Sequence, residues 1–123
     1  MAEPVRVQQS RKRGWRKPGN TVVVSRPSKW GNPYQILRSP FGNGWLVRLP
    51  QGDMRFSERD AIACAVYLFR CSLNSGIGPE WQWMRDHLAD LRGKNLACWC
   101  PLPKPGEPDL CHAAVLLEVV ANG

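Results

Sequence analysis

The sequence predicts a small α/β (or α+β) domain, a single sheet with about three helices. Three observations carry that prediction. Thr21-Val22-Val23-Val24-Ser25 opens with four β-branched residues and is too short for a helix, so it reads as a buried strand. Apolar residues then recur at helical spacing in two stretches separated by Gly76–Gly78. Finally, Leu96-Ala97-Cys98-Trp99-Cys100 alternates as a strand, and a further apolar helical stretch follows it.

In chain order, residues 1–19 read as an unstructured basic tail that folding does not need, and residues 20–123 as the domain. The strand 21–25 comes first, expected in the sheet interior, and hands over to the loop Arg26–Pro33. Trp45–Leu49 and Met54–Phe56 flank Pro50-Gln51-Gly52-Asp53 and predict a hairpin. Ser57, with Asp60 three residues on, caps a helix in which Ile62, Val66, Phe69 and Leu73 form the buried stripe. Ala61, Ala65 and Leu68 widen that stripe. Pro79 suits the first position of a second helix carrying Trp81, Met84, Leu88 and Leu91, which Gly93 closes. Leu96, Cys98 and Cys100 share one strand face, expected in the same sheet as 21–25. Asp109 is a good N-cap for a last helix running from about Leu110 through Ala113, Leu117 and Val120.

At 123 residues there is room for one modest core, and the 43% hydrophobic content is that of a globular chain. No apolar run approaches the roughly 20 residues of a membrane span, and the first fifteen residues lack a signal peptide's apolar stretch. Together these predict a cytoplasmic protein without membrane partners. Five cysteines, an odd number, argue against a disulfide framework. Cys64 and Cys71 fall in the first helical stretch and read as small buried hydrophobes. The charge is uneven: residues 1–19 carry six basic side chains against Glu3, which is +5 of the net +7. Such an arm favours polyanions, nucleic acid among them, although a solvated tail has the same composition.

The loop Arg26–Pro33 leaves a strand, where open α/β sheets place ligand loops. Its content suits an anion. Arg26 offers a fork of donors, Lys29 a point charge and Ser28 a hydroxyl; Gly31-Asn32 lets backbone approach closely, and Trp30 could stack on a base. Neither standard glycine-rich phosphate fingerprint is present. The alternative is a structural turn fixed by two prolines, with Trp30 plugging the core.

Cys98, Cys100, Cys111 and His112 form the second chemical segment and leave three readings open. They could hold zinc, although the ligand spacings are unusually short and adjacent helical residues diverge by about 100°. Alternatively, Cys111 and His112 sit at a helix start, where a thiolate is stabilised, as a nucleophile with its helper or as an anion-binding corner. Third, the cysteines could simply pack in the core.

VVVSRPSKWGNP at 22–33, LRGKNLACWCP at 91–101 and CHAAVLLE at 111–118 together resemble a family of small phage and bacterial proteins. That family has a GRPS-x-x-GNP-type loop and a C-x-C-x-P…CH ending, and is described as a domain of unknown function. The resemblance spans about residues 21 to 121. It implies that Arg26, Ser28, Gly31, Asn32, Pro33, Cys98, Cys100, Cys111 and His112 form the family signature, and it implies no reaction. Ser25 stands where members often carry Gly. More distantly, the ending resembles bacterial domains suspected of being nucleotide-binding α/β folds. The combined expectation is a domain that binds, or binds and modifies, a nucleotide, nucleoside or nucleic-acid group. Arg26, Ser28 and Lys29 would hold the anion, Trp30 would stack, and Cys111 and His112 would close the site. The rival is a non-enzymatic phage accessory protein that binds DNA through its tail, or a host protein through exposed Trp15, Trp45 and Trp83.

Overall fold

A computed structural model describes residues 4–39, 44–49 and 52–122. Its strands fall into two small sheets. The first is parallel, with β1 (Arg6–Gln8) and β2 (Thr21–Val23) flanking a central β6 (Asn95–Cys98). The second is an antiparallel meander of β3 (Ile36–Arg38), β4 (Trp45–Leu49) and β5 (Gly52–Phe56). The expected hairpin is β4–β5, in which Leu49 pairs Gly52. Pro50 and Gln51, the first half of its expected turn, lie outside the described residues, as does Glu3 of the basic tail.

The helices are α1 (Glu58–Ser75), α2 (Pro79–His87) and α3 (His112–Asn122), with a 3₁₀ turn at Leu88–Leu91. The first helix packs on the meander and on α3, and α3 packs on β6 and β1. Local chemistry sets the helix limits. Ser57 Oγ accepts from the Asp60 N–H at 3.2 Å, and Gly76, at φ 65°, closes α1 in the left-handed conformation. Ala61, Ala65, Phe69 and Leu73 form the buried stripe of α1, and Trp81, Met84 and Leu91 that of the next segment. Because that stripe sets the rotation of α1, Cys71 faces outward and Cys64 is only half-buried, not the core residues expected.

Three expectations change. One sheet becomes two. The strand expected at 21–25 lies at the edge of the parallel sheet, with β6 as its one paired neighbour among the described residues; the interior position goes to the more deeply buried β6. The tail is not unstructured throughout: Val5-Arg6-Val7-Gln8 alternates apolar and polar residues, and Arg6–Gln8 pairs with Leu96–Cys98. No single helix among the described residues is long and apolar enough to cross a membrane.

Candidate functional site

Both chemical segments leave the C-terminal ends of parallel strands, β2 and β6, which brings them together. After β2 the chain folds tightly. The Ser28 N–H donates to the Ser25 carbonyl and the Gly31 N–H to the Ser28 carbonyl, each at 3.0 Å. A Cβ on Gly31 would lie 2.6 Å from Arg26 Cγ and 3.0 Å from its Cα, so the loop closes on Arg26 only with glycine there. Asn32 fixes the far end, donating to the Ala65 carbonyl of α1 and accepting from the Tyr34 N–H.

This geometry sorts the loop's candidates. Arg26 and Asn32 line a cleft. Trp30 is 7% exposed and packs against Trp83 in the core, so it offers no stacking face to a ligand. Lys29 places its Nζ 5.0 Å above the Trp83 ring, away from the cleft. Ser28 Oγ is buried without a hydrogen-bond partner. Gly31 serves the backbone turn.

In the lining of the same cleft, the Sγ atoms of Cys98, Cys100 and Cys111 all lie within 4.8 Å of one another, Cys98 and Cys100 at 3.8 Å. Cys111 is 1% exposed, and its Sγ lies 4.0 Å from His112 Nδ1. The helical divergence expected of adjacent residues does not apply, because α3 begins at His112 and leaves Cys111 outside it. His112 Nε2 lies 2.7 Å from the Val24 carbonyl oxygen. A carbonyl only accepts, so Nε2 carries the proton and Nδ1 keeps its lone pair. Hydrogen bonds from Cys100 and then Cys111 pull the Cys98 thiol far below its ordinary range. Donation to Cys100 and Cys98, reinforced by burial, pushes Cys111 far above it. A buried donor thiol is a poor nucleophile, which weighs against the attacking role expected of Cys111.

Asp109 is not the helix cap. Its carboxylate receives Arg6 Nε at 2.5 Å, while Arg6 also donates to the carbonyls of Cys100 at 2.8 Å and Pro101 at 2.6 Å. Burial works against the charge on Arg6, but the Asp109 hydrogen bond and the neighbouring thiols outweigh it and raise its pKa. Arg6 thus fixes the chain just beyond Cys98. Its place in a basic segment hid this role; the Val-Arg-Val alternation was the available signal.

A family model described as Domain of unknown function (DUF4326) matches residues 7–122. The chain belongs to that family. No curated protein and no solved structure matches it. The DUF4326 span takes in both walls of the cleft, whose volume is about 1050 Å³. Cys98, Cys100, Cys111 and His112 line it together with Ser25, Arg26 and Asn32. Sequence reasoning missed two further cations there, Arg11 and Arg59. Neither Arg26 nor Arg59 has an ion pair among the described residues. Ile62, Val66, Leu102 and Leu110 make much of the remaining wall apolar. In this DUF4326 chain the three close cysteines could hold a metal ion, and the cleft above them has room for a small organic anion.

Proposed function

We propose that Cys98, Cys100, Cys111 and His112 hold one zinc ion, and that this centre floors a cleft which binds a nucleotide-type ligand. The observation carrying the reading is the convergence of three sulfurs, with His112 Nδ1 4.0 Å from the Cys111 sulfur, in the lining of the cleft that Arg26 also lines. Tetrahedral zinc with Zn–S of about 2.3 Å places sulfurs about 3.8 Å apart. The Cys98–Cys100 separation is 3.8 Å. His112 is held as zinc-ligating histidines usually are, its second ring nitrogen donating to a backbone carbonyl. A Cys₃His set completes four-coordination, so the ion's role is to fix the cleft floor rather than to activate water. Ligand class is read from the lining: Arg26 and Arg59 suit phosphate oxygens, Glu58 and Glu107 can accept from the hydroxyl or amino groups of the same ligand, and the apolar part suits a planar base.

Native mass spectrometry of the purified protein tests the metal, and titration calorimetry with nucleoside monophosphates tests the ligand. One zinc per chain and a saturable heat that Arg26→Ala abolishes are expected. Metal-free protein of unchanged stability, or nucleotide heats equal to the buffer blank, would refute the respective half.

A further inference from the structure

The cleft accounts for Arg26 and Arg59 but leaves most of the basic arm unused. Residues 9–20 connect β1 to β2, two parallel strands on opposite sides of β6, and so must travel back along the sheet. Their start is pinned: the Gln9 N–H donates to the Cys98 carbonyl, and Gln9 Oε1 accepts from Ser25 Oγ. Two residues on, Arg11 lines the cleft beside Trp99 and sets its guanidinium 5.0 Å above the Trp99 ring. Lys12, Arg13, Arg16 and Lys17 follow. All four are exposed, none is ion-paired among the described residues, and residues 9–20 hold no acidic side chain. Trp15, 36% exposed, lies within this series, and Trp99 is 43% exposed.

We infer that the ligand of the cleft is part of a single-stranded nucleic acid, one nucleotide entering the cleft while the adjoining phosphates follow the 9–20 segment. This rests on the cleft reading above and narrows it. A free nucleotide has too few phosphates to engage both the cleft and four further cations. Exposed tryptophans interleaved with cations are what unpaired bases and their backbone require, whereas a duplex hides its base faces. An anionic membrane would also attract the cations. It would not use the concave cleft into which they lead.

The test measures fluorescence anisotropy of a labelled single-stranded oligothymidylate, alongside thymidine monophosphate binding by calorimetry. A variant with Lys12, Arg13, Arg16 and Lys17 all replaced by glutamine leaves the cleft residues intact. The wild type should bind the strand at least about tenfold more tightly than the monophosphate, because phosphate contacts dominate such affinity. The variant should lose that advantage while binding the monophosphate as before. Its salt slope should be shallower by about 3, at about 0.7 per phosphate contact. Arg26→Ala should weaken strand binding as well. If the monophosphate binds and the strand binds no tighter, the inference falls and the cleft reading stands. If neither binds, both fall. Equal binding of duplex, equal arm-dependent binding of anionic vesicles, or strand binding indifferent to Arg26→Ala would each overturn the inference.

Discussion

A neutral imidazole has one ring proton to place, and at His112 the Val24 carbonyl claims it at Nε2, leaving the Nδ1 lone pair beside Cys111. In the zinc reading that lone pair serves the metal, with the Cys111 sulfur beside it as a second ligand. Cys111→Ser should therefore release zinc, seen by metal analysis, and lower Tm markedly, because a structural ion contributes directly to folding. Arg26→Ala is the contrasting case. Its side chain is exposed and has no ion pair among the described residues, so stability should move by less than about 0.5 kcal/mol in chemical denaturation while nucleotide binding disappears. Gly31→Ala should do both kinds of harm, losing about 1–3 kcal/mol as the new methyl displaces Arg26. Much at this scale was legible. Ser57 as a cap, Pro79 at a helix start and the shared face of Cys98 and Cys100 follow from local rules. The directions taken by Lys29 and Trp30 were not, because Trp83, which receives both, lies more than fifty residues away in sequence.

Among the elements, β1 is the one whose importance composition concealed. Three residues among six basic side chains look like a solvated arm, yet Arg6 is buried and ties the chain after β6 through three hydrogen bonds. Arg6→Ala would leave the Cys100 and Pro101 carbonyls and the Asp109 carboxylate short of a donor. The expected loss is about 3 kcal/mol, read from urea denaturation, with weaker zinc retention alongside. Arg6→Lys should recover part of it, since it keeps the charge but not the three-way fork. Deleting residues 1–9 should likewise destabilise the fold, against the expectation that the whole tail is dispensable; substituting the cations at 12–17 should not. β3 escaped notice for a different reason. Ile36–Arg38 is too short for its alternation to stand out from the loop around it.

For the molecule as a whole, periodicity identified the helices and the α/β class, because a buried stripe must repeat along the sequence that forms it. It could not tell one sheet from two, since strand pairing is long-range and leaves no local trace. The cysteine cluster joins the end of β6 to the start of α3, so chelation should lower the thermal midpoint of the entire domain. Zinc retention should also fall with pH, since the thiols and imidazole must be deprotonated to bind; metal content measured across a pH series checks this. The position of β6 between β1 and β2 has one more consequence, which concerns synthesis. On the ribosome the meander and α1 form an uninterrupted run, 36–75, and can close early. The two outer strands of the parallel sheet, though translated earlier, have nothing to pair with until Asn95–Cys98 emerges. A nascent chain stalled before that point carries two unpaired strands, which makes a translational arrest ahead of β6 a greater aggregation hazard than one beyond it.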